Sequence, residues 1–348
     1  MVAGTSGTGR TARVGAAATA GAAATPGTGP DTTRAAAHPG AVDARRIETA
    51  RAIGAAMAAS VHDPEAVATT LRGGLAGLAD PAYLAGQRRV APGIGAIHGV
   101  RAPLLAAVAS AFRGSTRDDR ATTLLFVADR LIREEHLEAR WIAFGMMERT
   151  LSGDPERTWQ LLRRAARTAA DWITVDTLAR PYAAGVALEP YRWSELEQLI
   201  YSPSPWERRL IGSTIATLSH GRYRRRLGAD VIGHGLPLLA SLIGDDDGDV
   251  QKALAWAYRS LAALDRPAVT AALRAEAETA RATDDGHRAW VVRDALSKLD
   301  PVDAQSLRDR LAGVRRRSDT PATSTAAATA AAFGGLPDPA VHPEPPLI

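Results

Sequence analysis

Apolar residues recur at helical spacing over most of the chain, with breaks roughly every 12–20 residues, a normal helix length. In the segment 118–136, Leu124, Leu125, Val127, Ala128, Leu131 and Ile132 fall on one stripe of a helix. Pro64 opens one predicted helix, with Asp63 as its cap, and Pro103 opens another that runs to Phe112. Proline suits the first helical turn because the N–H it lacks has no partner there. Further helices are predicted over 137–151, 155–170 and 171–184. Later ones start near Ser194, Pro205, Ile232, Asp249, Pro267, Gly286 and Val302.

Two ends of the chain break this pattern. Residues 1–42 are rich in Gly, Ala, Thr and Pro and have no apolar period, and 318–348 combine an Ala run with repeated prolines. Such segments bury too little apolar surface to offset their ordering entropy, so both are expected to be disordered. The body, 43–317, is expected to be one all-α domain. Many medium helices on short loops suggest a HEAT-like helical-repeat solenoid with a concave basic face. No fixed sequence period is present, and the spacing of helix pairs drifts around the ~40–47 residues of HEAT units.

Composition narrows the chemistry. The chain has no cysteine, which removes disulfides, thiolate nucleophiles and Cys-ligated zinc. Few aromatic residues leave little sheet signal. The formal net charge is only +4, so a nucleic-acid partner is indicated only if the charge is clustered. No stretch reaches the about 18 apolar residues of a membrane span. A signal peptide is not read at the start, and a cytoplasmic, nucleoid-associated monomer is expected. The phosphate-cradling GxxxxGK[ST], the zinc motif HExxH and the nucleophile elbow GxSxG are all absent. The eight histidines are scattered and no pair has ligand spacing on a helix.

Two segments carry candidate chemistry. In 170–178, Trp172 and Asp176 are one helical turn apart. An indole beside a carboxylate attracts a cation. The same spacing also fits a core tryptophan and a solvated or helix-start aspartate. In 249–259, Lys252, Trp256 and Arg259 share one helix face, while Leu254, Ala257 and Leu261 occupy another. That is an odd core face and a reasonable nucleic-acid face, although a tryptophan under snorkelling Lys and Arg stems fits equally. Arginines cluster nearby: Arg208 and Arg209 after Trp206, the run Arg222, Arg224, Arg225 and Arg226, and the earlier Arg88, Arg89 and Arg101. The guanidinium fork suits phosphates. Trp141 reads as core.

In order along the chain, EARWIAFGMM, DWITVDTLA, SPSPWERRLI and DVQKALAWAYRSL resemble the AlkD-like DNA alkylation repair glycosylases, a family of HEAT-like helical repeats. The resemblance runs from about Pro81 to Leu299 and omits both tails. Its most specific part is W-x-x-x-D followed about eighty residues later by QKAxxW. It implies that Trp172 and Asp176 are the catalytic pair, that Trp256 is a second tryptophan facing the lesion, and that Arg209 contacts the DNA backbone. Arg208, Lys252, Arg259, Arg88 and Arg89 are the further DNA-binding candidates. Two positions depart from the pattern. Asp171 stands where the best-known members carry an aromatic residue, and no tyrosine is found near Arg89 and Val90.

The resemblance further implies hydrolysis of the N-glycosidic bond of N3-alkyladenine or N7-alkylguanine in duplex DNA, with the lesion left stacked. It implies a reaction that needs neither a metal nor an organic cofactor. Two alternatives stay open. One is a non-catalytic scaffold of the same fold that binds DNA or protein. The other is a self-resistance enzyme that excises bulky natural-product adducts. A single feature separates scaffold from enzyme: an Asp176 turned into the core, or paired tightly with a buried arginine, favours the scaffold.

Overall fold

A computed structural model of the chain describes residues 43–317 and 319–332. The segment 1–42, expected to be disordered, lies outside the described residues. The helices in chain order are α1 (Ala44–Ala59), α2 (Pro64–Gly77), α3 (Pro81–Val90), α4 (Ala102–Ser115), α5 (Ala121–Leu131), α6 (Leu137–Thr150), α7 (Pro155–Arg167) and α8 (Trp172–Leu188). Then follow α9 (Arg192–Gln198), α10 (Pro205–Leu218), α11 (Gly221–Leu242), α12 (Gly248–Leu261), α13 (Arg266–Thr283), α14 (Gly286–Ala295), α15 (Pro301–Arg310) and α16 (Thr325–Ala332). Among the described residues there is no strand.

Aspartate starts many of these helices. Asp43, Asp63, Asp80, Asp154, Asp171, Asp247, Asp265 and Asp285 each accept backbone N–H groups of the turn that follows. A cap of this kind contributes about 1 kcal/mol. In five of these helices proline or an acidic residue follows in the first turn, which the unpaired N–H groups and the helix dipole favour.

The expected helical-repeat architecture is present. Helix α5 packs on α6, α7 on α8, α11 on α12 and α13 on α14. The second members then pack on one another in chain order: α6 on α8, α8 on α10, α10 on α12 and α12 on α14. Their seams are lined by buried side chains such as Phe144, Val175, Leu178, Ile211, Ile215, Leu254 and Val291. Because the second helices are stacked side by side, a given register position on each forms a row across the stack. This is what assembles the candidate site.

Several expected boundaries differ, each for a local reason. The helix read as starting at Asp118 starts at Ala121 and stops at Leu131. After it, Glu134 closes a turn on the Leu131 carbonyl, its side chain is held by Arg72 and Arg130, and its carbonyl accepts from Arg140. Helix α11 begins at Gly221 instead of near Ile232, its first turns being the basic run that masks any apolar stripe. Helix α3 has no buried residue and so no apolar face to detect. Of the segment 318–348, expected to be disordered, residues 318 and 333–348 lie outside the described residues, and 319–332 packs against the body. The Thr323 N–H donates to the Gly244 carbonyl at 2.8 Å, and Ser324 and Ala326 are buried. Its small side chains let the backbone approach closely, a kind of packing that an apolar stripe does not report. No helix among the described residues is long and apolar enough to cross a membrane.

Candidate active site

The site is built on one register position. The residue five past the N-cap is Trp141 on α6, Asp176 on α8, Arg209 on α10, Lys252 on α12 and Trp290 on α14. One turn further, nine past the N-cap, come Gly145, Arg180, Ser213, Trp256 and Asp294. Sequence spacing found the pairs within single helices. Stacking of the helices joins them into a two-residue-wide stripe.

At its centre Asp176 meets Arg209. Arg209 donates through Nε to Oδ1 at 3.1 Å and through Nη2 to Oδ2 at 2.8 Å. The Ser213 hydroxyl donates to Oδ1 at 2.6 Å. A bidentate guanidinium–carboxylate pair fixes orientation as well as charge. Oδ1 thus has both acceptor positions filled, while Oδ2 carries one bond and retains a second position. Asp176 stays partly open to solvent, with 23 % of its side chain exposed, whereas only 6 % of the Arg209 side chain is. The third nitrogen of Arg209, Nη1, donates to the Asp249 carbonyl at 2.6 Å in the first turn of α12. Arg209 therefore ties α8, α10 and α12 together at one point.

The start of α8 is fixed from below. Asp171 is buried and accepts from the Thr174 N–H at 2.8 Å and from the Thr174 hydroxyl at 2.7 Å. The same hydroxyl accepts from the Trp141 indole N–H at 3.0 Å. Asp171, a departure from the family pattern in the sequence, is here the cap that sets where α8 begins. It thereby sets the direction of Trp172 and Asp176. Trp141, read as core, is half-buried and packs its ring on the core from the stripe.

The other candidates divide. Trp172 is the first residue of α8 and half-buried; Trp256 is half-buried against the core beside the Ser213 register. Lys252 is exposed and pairs with Asp249 at 2.9 Å. Arg259 reaches across to Asp294 on α14 and donates to its carbonyl at 2.8 Å. Arg208 turns away from the stripe and forms a bidentate pair with buried Asp245, at 2.6 and 3.2 Å. It anchors the loop before α12. Arg88 and Arg89 are exposed on the last turn of α3, next to Gln87, which lines a cleft with Trp141, Gly145 and Arg180 of the stripe.

Sequence reasoning missed Ser213, Arg180 and Tyr83. Ser213 lies four after Arg209 and Arg180 four after Asp176, so each shares a helix face with a residue already singled out. Arg180 is exposed and pairs with Glu148 at 3.2 Å. It lines a cleft of about 470 Å3 together with Trp141, Ile173, Thr177 and, from α3, Tyr83. Tyr83 stands on the same helix as Arg89 and Val90, less than two turns earlier, with the Arg101 guanidinium 5.4 Å from its ring centre. Burial pushes its hydroxyl pKa up, which Arg101 only partly offsets, so it is a neutral donor and acceptor.

No curated protein matches the chain. The model of a protein family described as DNA alkylation repair enzyme matches residues 71–299, which include the whole stripe from Trp141 to Trp290. The chain therefore belongs to the DNA alkylation repair enzyme family.

Proposed function

We propose that this chain is a DNA glycosylase that hydrolyses the N-glycosidic bond of cationic alkylated purines in duplex DNA. The observation that carries this reading is the immobilised Asp176 carboxylate. It is partly exposed, flanked along the stripe by aromatic and basic residues, and keeps an acceptor position on Oδ2.

An N3- or N7-alkylated purine carries a positive charge, so its bond to C1′ breaks with the electron pair moving onto the base, which leaves neutral. The sugar develops oxocarbenium character at C1′. A carboxylate held beside it stabilises that charge without reorganising. Water placed on Oδ2 adds to C1′, and its proton passes to the carboxylate or to solvent, leaving an abasic sugar. Trp172 and Trp256 are half-buried on this face, and indole rings attract the cationic lesion over its neutral counterpart. Arg209 acts here as a positioning residue for Asp176. Three of its five N–H donors are engaged at Asp176 and Asp249, which leaves two for the DNA backbone contact expected of it, with the rest of the phosphate contacts made by other cations. With carboxylate and rings on an open stripe, the lesion reacts without flipping into a deep pocket.

A second reading has a specific observation in its favour. Asp176 is paired tightly with a buried arginine, the feature that favours a non-catalytic DNA-binding scaffold. The exposure of Asp176 and the open position on Oδ2 weigh against it, since a purely structural pair has no use for either. Incubation of the protein with duplex DNA carrying N3-methyladenine and N7-methylguanine, followed by chromatography, separates the two. The glycosylase reading expects the free alkylated bases. Binding to that DNA with no base released contradicts it.

A further inference from the structure

Charge on the candidate face is largely spent. Arg209 is matched by Asp176, Lys252 by Asp249, Arg259 by Asp294 and Arg180 by Glu148. A cation already balanced by a neighbouring carboxylate adds less to the field that attracts a phosphate than one with neutral partners. Among the described residues, Arg88 and Arg89 on α3 have no ion-pair partner, and a second region of such cations lies beyond the segment matched by the family, which ends at residue 299.

After α15 the chain turns at Gly313, whose φ of +90° suits glycine, and returns over the starts of α12 and α14. This return strap is built into the body. The Arg293 guanidinium donates to the carbonyls of Leu311 and Val314 at 2.6 and 2.7 Å. A ring nitrogen of buried His287 meets the Thr320 carbonyl at 2.8 Å. The Thr323 hydroxyl bonds Asp285. Two glycines make room for it: a side chain at Gly286 would strike the Arg315 carbonyl, and one at Gly244 would strike Thr323.

The strap carries Arg315, Arg316 and Arg317, all exposed. Arg317 pairs loosely with Asp284 at 3.6 Å. Arg316 has different partners. It donates through Nη1 to the Gln251 side-chain oxygen at 2.7 Å, and its guanidinium sits 5.3 Å from the ring centre of Trp290. Both partners are neutral. Trp290 is the last member of the stripe and Gln251 is the neighbour of Lys252, so Arg316 is held on the candidate face itself. Arg315 stands close enough to Arg293 for its charge to add to the burial that lowers the Arg293 pKa.

We propose that this strap is a second DNA-contacting element, in which Arg315 and Arg316 receive backbone phosphates of the duplex on the far side of Lys252 from Asp176. The inference rests on DNA being the partner of the stripe. Anchoring by a ring and an amide leaves Arg316 ordered before binding, so little side-chain entropy remains to be lost when a phosphate arrives. Its partners do not neutralise it, which separates it from every paired arginine of the stripe. The strap also caps the last helix pair, and a cap alone needs no unpaired cation on this face.

The test is fluorescence anisotropy of undamaged duplex DNA with the full chain, titrated at several salt concentrations, for the parent, Arg315→Gln/Arg316→Gln and Arg315→Glu. Removal of one phosphate-binding cation lowers the slope of log affinity against log salt by roughly 0.9. The double variant is expected to show a slope smaller by roughly one to two and to bind roughly tenfold more weakly at low salt. Arg315→Glu touches neither Gln251 nor Trp290, so it decides the matter if circular dichroism shows the double variant unfolded. Slopes and affinities equal to the parent in the folded variants overturn the strap proposal while base release by the parent stands. A parent that shows no salt-dependent duplex binding overturns the strap and the DNA reading together.

Discussion

Two carboxylates at the same stack of helices do opposite jobs. Glu138, in the first turn of α6, is fully buried and accepts from three successive backbone N–H groups: His98 at 3.1 Å, Gly99 at 2.8 Å and Val100 at 3.2 Å. Every donor is main chain, and the acid replaces the secondary structure that the loop before α4 lacks. Asp176, one helix along, takes its donors from side chains, remains partly exposed and keeps an unfilled position on Oδ2. The first acid is sealed around a loop. The second is held in place while one side stays open to a reactant. Burial and donor type together, not the presence of a buried acid, separate a structural carboxylate from a candidate catalytic one.

The contrast can be broken by exchange of single groups. The largest effect is expected at Asp176. Asp176→Asn removes the negative charge proposed to act at C1′, and base release is expected to fall by about 10²–10³-fold. Affinity for undamaged duplex stays within about twofold. The variant also leaves the buried Arg209 charge unbalanced, so unfolding free energy drops by about 2 kcal/mol in a denaturant titration, discounted for the partial exposure of the pair.

Glu138→Gln should do the reverse. A neutral amide cannot accept from all three N–H groups and turns its own N–H₂ toward them, which costs about 3 kcal/mol of stability. Base release per folded molecule stays at the parent rate. A Glu138→Gln protein that is folded but inactive would erase the distinction.

A smaller effect is expected at the positioning residue. Arg209→Lys keeps the charge but gives up the bidentate geometry, a loss of about 1.5 kcal/mol, or roughly tenfold in base release. The smallest is at Trp256. Trp256→Ala is expected to slow release of cationic N7-methylguanine about threefold relative to a neutral leaving base, the worth of a part-exposed cation–π contact. Equal rates for parent and variant across several alkylated substrates would remove Trp256 from the site.

How much of this was legible in the sequence follows from which contacts are local. Trp172 with Asp176, and Lys252 with Trp256, lie within one helix and show up as i, i+4 spacings. Aspartate caps and first-turn prolines set most helix starts for the same reason. The pair of Asp176 with Arg209 joins residues 33 apart in the chain, and no spacing rule selects that arginine over its neighbour. By charge and position alone Arg208 and Arg209 look equivalent, and only the family resemblance singles out Arg209. Their side chains leave α10 about 100° apart, so one enters the stripe and the other clamps Asp245. The strap was hidden for another reason. Its attachment depends on backbone groups, small residues and two glycines, so the composition of a tail conceals a packed element.

A single-turnover measurement decides the role of Asp176. Release of N7-methylguanine from duplex DNA is followed with protein in excess, for the parent, Asp176→Asn and Glu138→Gln, each well below its own melting temperature. The predicted result is rapid release by the parent and by Glu138→Gln, with Asp176→Asn bound to DNA but slower by at least about a hundredfold. Release by Asp176→Asn at the parent rate would contradict the assignment of Asp176.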